Sequence, residues 1–331
     1  MKKKAHFYTN YNNMVVLEGY LNVIKEALVN NGYECDHVTN IAGLDKNDLY
    51  IFAMGVDAFK FYWKGYKNYI LWQQGATAEE SFMRNKNKLR FYILNYIDCF
   101  AMKKAKLIFF CSEYMKNHYE KLALKSFDST SYLMPCFNEK LNKKQIIEKD
   151  YTRKNFAYVG SLDLWQCFDR IIDLYKKIET VYTDAHLKVL TFSVDDATQK
   201  IIDLGIKNYE VKSVNKEDVQ TELEDVVYGF VIRDDSIVNR VATPTKISSY
   251  MSVGIIPVFS VVLDDFNTVS QNMEYVIPVQ TDIDFEMLKK RIEKSVDKNM
   301  LFEEYTHLFD TYYGIQAHVC KISDLIKGIM L

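Results

Sequence analysis

The sequence predicts an α/β fold made of two domains. Short apolar runs typical of buried strands alternate along the whole chain with stretches typical of helices. The 331 residues exceed what one small core requires and suit two domains of about 150 residues each. Hydrophobic residues make up 48% of the chain, whereas only four prolines and twelve glycines occur. Large buried cores are therefore expected, and a low-complexity linker is not.

The first half of the chain has the pattern of parallel βαβ units. A strand predicted over residues 5–9 leads into an asparagine-rich loop, 10–13, and a helix follows over 16–30 with its apolar residues in one stripe. Further apolar runs predict strands at 49–53, 69–72, 107–111 and 131–134. Residues 139–153 are charged and lack apolar periodicity, so the interdomain linker is predicted there.

The second half repeats the alternation of strands and helices. Strands are predicted at 156–159, 187–191, 209–212, 226–232 and 255–259, and helices at 168–180, 195–204, 216–223 and 246–253. Asp264 and Asp265 are expected to mark the turn after the last of these strands, and residues 284–298 and 302–329 are predicted to be largely helical. This order favours parallel sheets that are covered by helices on both faces.

Several classes of protein are disfavoured. The six cysteines form no C-x-x-C pair and have no partner at metal-ligand spacing, so no structural zinc is expected. The lysines at 2–4 precede polar residues rather than an apolar segment, and no stretch reaches the roughly 18 apolar residues of a membrane span. A cytoplasmic protein with reduced thiols is predicted. No P-loop or dinucleotide fingerprint occurs, which argues against a kinase, an ATPase and a simple dehydrogenase.

The charge is unevenly distributed. Residues 1–150 contain 22 Lys and Arg against 16 Asp and Glu, whereas residues 151–331 contain 20 against 28. Basic residues between Arg84 and Lys106 flank an apolar, aromatic segment at 91–100, which is interpreted first as a core helix with basic ends. The alternative is contact with an anionic membrane surface. Nucleic acid is not an expected partner, because the second half is acidic and no nucleic-acid module is found.

The densest functional signal lies at residues 233–259. Arg233 and Arg240 stand in a polar loop, Pro244-Thr245-Lys246 opens a short helix, and Gly254 ends that helix before an apolar strand. Thr243 or Thr245 is expected to cap the helix. A helix N-terminus with cations nearby attracts phosphate. The alternative is an ordinary helix–strand unit with solvated basic side chains.

This segment resembles the donor-binding segment of bacterial glycosyltransferases of the GT-B fold, the family 4-like (group 1) enzymes of capsule and surface-polysaccharide synthesis. The matching residues are Arg233, Asn239-Arg240-Val241, Thr243-Pro244-Thr245-Lys246, Tyr250-Met251 and Gly254 to Val258. Three other segments resemble the same family more loosely. They are Phe156 to Leu162 with Trp165-Gln166, Trp72 to Glu80, and Met134 to Asn138.

The resemblance implies two Rossmann-like domains that face each other across an interdomain cleft, with a C-terminal helix that returns to the first domain. The implied domains are an acceptor-side domain at 1–145, a nucleotide-sugar domain at 146–305 and the terminal helix at 306–331. The implied activity is a hexosyltransferase that moves a sugar from a nucleotide sugar to an oligosaccharide or lipid-linked glycan, with retention. No metal or other cofactor is expected, and the enzyme would be cytoplasmic or peripheral at the inner face of the cell membrane.

Site residues are carried over position by position. The departing diphosphate gains negative charge, so cations and N–H donors are the expected catalytic groups. The resemblance implies catalytic roles for Arg240, Lys246 and Arg233. It implies donor-binding roles for Gly160, Ser161, Trp165, Asn239, Thr243, Pro244, Thr245 and Ser249. It implies acceptor-side roles for Asn10, Gln74, Gly75 and Glu79.

The chain departs from the family pattern at several positions. Ser249 and Val241 stand where glutamates are usual, the basic pair expected after Gly160 is absent, and Gln74 replaces a common histidine. Glu79 and Glu80 either orient an acceptor hydroxyl or, as preferred here, cap the helix that begins nearby. The main rival is therefore a noncatalytic GT-B-like protein that binds glycan or partners a true transferase. A nucleotide-sugar epimerase is a second rival, for which no set of ionisable residues can be assembled.

Overall fold

The computed structural model describes residues 3–9, 14–137 and 140–330. The chain forms two compact units. The first contains the described residues up to Cys136, together with Val241–Thr243 and the chain from Tyr313 onward. The second contains Phe137–Arg240 and Pro244–Tyr312. Residues 140–145 and 306–312, which the sequence assigned to the first domain and to the terminal helix, belong to the second unit.

The first unit is built on a six-stranded parallel sheet with the order β2-β1-β3-β4-β5-β6. Its strands are β1 (Lys3–Tyr8), β2 (Tyr33–Val38), β3 (Leu49–Phe52), β4 (Tyr69–Gln73), β5 (Leu107–Phe110) and β6 (Ser131–Leu133). Every residue of β3, β4 and β5 is buried. Such continuous burial is typical of parallel strands that are covered on both faces.

Helices cover the first sheet. They are α1 (Met14–Asn30), α2 (Gly55–Tyr62), α3 (Thr77–Asn85), α4 (Lys88–Lys104) and α5 (Glu113–Ala123). The C-terminal helix α15 (Ile315–Met330) also belongs to this unit and packs against α1. Asn31 Nδ2 donates to the Ser323 carbonyl at 3.0 Å, and Tyr132 Oη lies 2.7 Å from His318 Nδ1.

The second unit repeats this architecture with the strand order β12-β11-β10-β7-β8-β9, again fully parallel. Its strands are β7 (Asn155–Val159), β8 (His186–Leu190), β9 (Tyr209–Lys212), β10 (Tyr228–Val231), β11 (Ile256–Ser260) and β12 (Ile277–Val279). The larger helices are α7 (Phe168–Val181), α8 (Val194–Asp203), α11 (Thr245–Ser252), α13 (Phe285–Glu293) and α14 (Lys298–Thr311). Shorter ones are α6 (Lys143–Glu148), α9 (Val219–Glu222), α10 (Ile237–Arg240) and α12 (Asp264–Val269).

The structure corrects several local predictions. The sequence analysis missed β2, because its YECDHV sequence has no apolar run and the strand is only partly buried. It also missed β12, which is three residues long and carries an exposed proline. Asp264 and Asp265 begin helix α12 rather than mark a turn, and α6 occupies the predicted linker. Residues before Arg240 form α10 instead of a loop.

Helix α11 ends as predicted but does not begin as predicted. The N–H of Gly254 donates to the Met251 carbonyl at 3.0 Å and that of Ile255 donates to the Tyr250 carbonyl at 2.9 Å, with Gly254 at a φ of 76°. This pair of bonds is the Schellman termination. At the other end the N-cap is Pro244, and no side chain caps the helix. Thr245 is already the first helical residue, so the predicted threonine cap is wrong.

Among the described residues, no helix is both long enough and apolar enough to cross a bilayer.

Candidate functional site

Lys246 lies in the first turn of α11, where the helix begins directly after Pro244. Its Nζ donates to Gln166 Oε1 at 2.8 Å and lies 4.5 Å from the centre of the Tyr158 ring. Burial lowers the pKa of the Lys246 ammonium well below its ordinary value, and the neighbouring Arg233 lowers it further. The N-terminal N–H groups of a helix have no partner inside the helix, so this end of α11 favours an anion.

Arg233 follows β10 and reaches the same place from the sheet. Its side chain is buried, with 2% exposure. One guanidinium nitrogen donates to the carbonyls of Gln166, at 2.8 Å, and Ile232, at 3.0 Å, and the other donates to Gln166 Oε1. Burial lowers the pKa of Arg233, although a guanidinium stays charged at neutral pH.

Arg233 and Lys246 therefore converge on one neutral oxygen, that of the Gln166 side chain. In the described part of the chain, neither cation has a carboxylate within ion-pairing distance of 4.0 Å. A buried positive charge without a counter-charge is costly. An anionic oxygen in the position of Gln166 Oε1 would compensate both charges, which makes this a candidate anion site by its electrostatics.

Gly160 leaves space for a ligand next to Lys246. The residue directly follows β7, the first strand of the second unit, and has a φ of 140°, a conformation that L side chains rarely adopt. A Cβ at this position would lie 3.0 Å from Lys246 Nζ. Two tyrosines hold the surrounding backbone, because Tyr158 Oη donates to the Ser161 carbonyl and Tyr250 Oη accepts from the Val159 N–H at 3.0 Å. A ligand oxygen can thus approach backbone and ammonium together.

A cavity of about 290 Å³ opens beside these groups. It lies at the carboxyl end of β7, where open α/β sheets bind ligands. Its lining includes polar side chains, such as those of Gln166 and Lys246, and apolar side chains from α9 and the residue after it, Val219 and Leu223. The lining residues are Val159, Gly160, Gln166, Val219, Gln220, Leu223, Thr245, Lys246, Ser249 and Tyr250. The combination suits a ligand with an anionic group and a flat or apolar portion.

Arg240, a predicted catalytic residue, does not join this cluster. Its guanidinium lies 2.6 Å from Asp235 Oδ1 and 3.0 Å from Asp264 Oδ2, and it lines a different cavity together with both carboxylates. The hydrogen bonds that Arg240 donates to Asp235 and Asp264 raise the pKa of its guanidinium above the ordinary value. Its charge is already compensated, unlike that of Lys246.

Asn239 is buried beside Arg240. Its Nδ2 donates to the Asp234 carbonyl at 2.9 Å, and its Oδ1 has no hydrogen-bond partner among the described residues. The Asn239 side chain therefore helps to hold the loop that follows β10 in place.

The remaining donor-side candidates divide into three groups. Thr245 and Ser249 line the cavity, and Ser249 Oγ donates back to the Thr245 carbonyl at 3.1 Å. Pro244 caps α11, and Trp165 lies in a short 3₁₀ helix, Leu164–Gln166. Ser161 and Thr243 do not line the cavity: Ser161 Oγ donates to Asp163 Oδ2 at 2.8 Å, and Thr243 Oγ1 accepts from the Cys136 N–H at 3.0 Å within the first unit.

The acceptor-side candidates lie in the first unit, except that Asn10 falls outside the described residues. Gln74 Nε2 donates to the Ala53 carbonyl at 3.3 Å. The Gly75 carbonyl accepts from Gln73 Nε2 at 2.8 Å. Glu79 sits in the first turn of α3 but is buried, and its Oε1 lies 2.9 Å from His118 Nε2. The preferred capping interpretation of Glu79 is thus incomplete, because the carboxylate has a specific side-chain partner.

Two features escaped the sequence analysis, a candidate site residue and a buried carboxyl group. Gln166 is the centre of the anion site, and its only sequence signal was its place after Trp165 in the resembling segment. Asp98 is fully buried in α4 and accepts from Tyr119 Oη at 3.2 Å. Burial raises the pKa of Asp98 to about 7. Its signal was a lone acidic residue in an otherwise apolar and basic helix.

Metal binding gains no support from the geometry: the described residues contain no group of three or more His, Cys, Asp or Glu side chains placed to hold an ion.

The sequence matches no protein-family model and no curated protein. Solved structures do match. Anabaena HepE in complex with UDP and glucose gives a TM-score of 0.68 at 10% identity, with 99% of this chain and all of HepE (100%) covered. The lipopolysaccharide outer core galactosyltransferase WaaB, in its apo form, gives 0.60 at 12% identity, with 96% of this chain and 99% of WaaB covered.

A third match is S. aureus TarM, a mutant of which was solved with fondaparinux, alpha-GlcNAc-glycerol and UDP. Its TM-score is 0.62 at 12% identity, and 85% of this chain is covered. The chain spans 56% of the length of TarM. Together with the two parallel six-stranded sheets, these matches show that the chain has the GT-B fold of glycosyltransferases. The predicted fold class is confirmed.

Proposed function

We propose that this protein is a glycosyltransferase that binds a nucleotide sugar in the second unit and transfers the sugar to a glycan or lipid-linked acceptor. The observation that carries the proposal is the convergence of Arg233 and Lys246 on Gln166 Oε1 beside an open cavity. Two cations without a carboxylate partner suit a diphosphate. UDP in the structures of HepE and TarM is consistent with this ligand class.

The chemistry follows from where negative charge develops. When the bond between the sugar and the diphosphate breaks, charge accumulates on the departing phosphate. Lys246, Arg233 and the first-turn N–H groups of α11 would stabilise that charge, and Gly160 would admit the phosphate to contact distance. In this proposal Gln166 turns away when the phosphate oxygen takes its place. No metal is assigned a role, and none is expected.

Hexosyl transfer, retention of configuration and surface-polysaccharide synthesis rest on the resemblance alone. A cytoplasmic site of action and contact with the membrane through the basic first unit are predictions from the sequence and its charge. The acceptor-side assignment of Gln74, Gly75 and Glu79 also stays a prediction.

A noncatalytic glycan-binding or partner protein is the second candidate. One observation favours it: Ser249, which replaces the usual glutamate of the family, hydrogen-bonds to the carbonyl of Thr245 in its own helix. A shorter neutral side chain with a local partner is a weak ligand for sugar or ribose hydroxyls.

Calorimetric titration with UDP, GDP, ADP and CMP tests the proposal. We expect micromolar binding of one nucleotide and a loss of at least about 2 kcal/mol, roughly thirtyfold, in Lys246→Gln, because a charged phosphate partner is removed. Arg240→Gln should lose much less, since Asp235 and Asp264 already engage that guanidinium. Lys207→Gln, an exposed lysine of the same unit, is the control.

If no nucleotide binds the unmodified protein at millimolar concentration, the donor site is vestigial and the noncatalytic role takes its place. If Arg240→Gln loses affinity and Lys246→Gln does not, the donor site lies around Arg240 instead.

A further inference from the structure

The first unit exposes an unusual number of large apolar side chains on α4. Leu89, Tyr92, Ile93 and Tyr96 are 71%, 68%, 49% and 64% exposed. Their spacing of three and four residues places them, with Phe100, on one stripe of the helix. The preferred sequence interpretation of this segment as a core helix with basic ends holds for its buried face, which includes Cys99 and Met102, whereas this second face is open to solvent.

Residues from α2 and its C-terminal end extend the stripe into a surface. Trp63 is 68% exposed and stacks on Phe100 with ring centres 5.7 Å apart. Phe59 contacts both Phe100, at 5.1 Å, and Tyr96, at 6.4 Å. We call this surface the aromatic face; it consists of Phe59, Trp63, Leu89, Tyr92, Ile93, Tyr96 and Phe100. Contiguous apolar surface of this kind marks a site of interaction.

The exposed charged residues of the two segments that form the aromatic face are all basic. The segment from Arg84 to Lys106 has seven basic residues, all exposed, and one acidic residue, Asp98, which is fully buried. The segment 58–68 has three exposed lysines and no acidic residue. An excess of exposed basic residues favours binding to an anionic bilayer surface. A protein partner that carries both positive and negative charges would not favour such an excess.

The face also has a groove of suitable chemistry for a lipid headgroup. A cavity of about 460 Å³ is lined by Tyr62, Trp63, Phe100 and the lysines Lys64, Lys67 and Lys104. Lysine ammonium groups can bind the phosphate of a headgroup while their stems and the aromatic rings lie at the level of the upper acyl chains.

We propose that the aromatic face docks on the surface of an anionic phospholipid bilayer, with Trp63, Tyr92 and Tyr96 inserted at the interface and the surrounding lysines bound to lipid phosphate. Docking itself is independent of the enzymatic proposal. One consequence deepens that proposal and rests on it: a transferase held at a bilayer would act on a lipid-linked acceptor rather than a free oligosaccharide.

Sedimentation of the 331-residue protein with vesicles tests the docking. We expect binding to phosphatidylcholine vesicles that contain about 30% phosphatidylglycerol, no binding to pure phosphatidylcholine, and loss of binding in 0.5 M salt because surface charges are screened. A triple variant, Lys60→Gln, Lys64→Gln and Lys67→Gln, should bind at least about tenfold more weakly. Exposed lysines of the second unit, changed as Lys177→Gln, Lys207→Gln and Lys290→Gln, give the matched control.

The apolar contribution is tested separately. Trp63→Ser with Tyr92→Ser and Tyr96→Ser should abolish binding to the same vesicles, whereas Leu124→Ser with Phe192→Ser, at 92% and 88% exposed positions elsewhere, should not. Unchanged vesicle binding in both face variants would overturn the proposal. So would a concentration-dependent dimer that the aromatic variant abolishes, which would make the face an interface between copies.

Nucleotide titration of the same variants separates this proposal from the enzymatic one. The face variants should keep the nucleotide affinity of the unmodified protein, because the anion site lies in the second unit. Vesicle binding without nucleotide binding would refute only the enzymatic proposal, and the reverse result would refute only the docking.

Discussion

At the scale of single residues, the anion site depends on a neutral side chain. Gln166 Oε1 accepts hydrogen bonds from Arg233 and Lys246, and the Gln166 carbonyl accepts another from Arg233. The two cations are thus held close together by an amide, which satisfies their donors without neutralising their charge. A carboxylate at this position would neutralise it.

Gln166→Glu tests this arrangement. We expect the variant to bind the nucleotide at least about tenfold more weakly, since its carboxylate forms ion pairs with both cations and repels phosphate. Gln166→Ala removes the amide without adding charge and should keep most of the affinity. Calorimetry of both variants with the nucleotide that the unmodified protein binds gives the comparison. Equal affinity in Gln166→Glu and Gln166→Ala would show that phosphate does not bind at this oxygen.

At the scale of elements, the turn between α11 and β11 aligns the helix that carries Lys246 with the sheet. Gly254 makes this turn with a φ of 76°, and the helix is pinned on its other side by a close approach to β10. There Gly229 has no room for a side chain, because a Cβ would lie 2.4 Å from the Tyr250 ring. The position of Lys246 therefore depends on two glycines, Gly254 and Gly229, neither of which has a side chain that could contact a ligand.

Gly254→Ala should destabilise the second unit by about 2 kcal/mol or more. The left-handed backbone costs about 1 kcal/mol for alanine, and the new Cβ would also lie 2.4 Å from Tyr151 Oη and 3.0 Å from Ile146 Cγ1. Urea unfolding followed by circular dichroism measures the change. Gly205→Ala is the control, because Gly205 has a similar φ of 64° but open space around it. Equal losses in the two variants would mean that the contacts with Tyr151 and Ile146 relax without cost.

At the scale of the whole molecule, the chain does not divide in simple sequence order. The first unit is completed by residues 313–330, which the chain reaches only after the entire second unit. Helix α15 packs on α1 through buried residues that include Ile322 and Val319. The first unit cannot complete its core until the C-terminus has been made.

Ile322→Ala tests the contribution of this terminal helix. Ile322 is fully buried, so truncation should cost about 2–5 kcal/mol of the stability of the first unit. Ile202→Ala, at a 52% exposed position, should cost less than about 1 kcal/mol. Thermal unfolding and hydrogen exchange of α1 measure the effect. Unchanged exchange in α1 would show that α15 is dispensable for this unit.

The sequence by itself determined the class of fold, because the alternation of apolar runs and helical stripes is a local pattern that burial imposes on parallel sheets. It also determined the end of α11, since Gly254 needs no distant partner to make its turn. Edge strands such as β2 and β12 were missed, because their pairing is decided by neighbours and their side chains carry little apolar signal.

Only the tertiary structure decided which cations meet. Lys246 and Arg233 come from a helix and a strand end. Arg233 follows β10 and reaches Gln166, which follows β7, because these two strands are adjacent in the sheet, and Lys246 reaches the same oxygen from α11. The sequence shows Arg240 as a cation like Arg233 and Lys246, but folding places Asp264 within ion-pairing distance of Arg240 and so compensates its charge. The aromatic face is the opposite case: its apolar sequence predicted a core helix, and the fold placed nothing over it among the described residues. The charge and the apolarity of a side chain can be read from the sequence. Whether a charge is paired and whether an apolar side chain is covered depend on which residues the fold brings together.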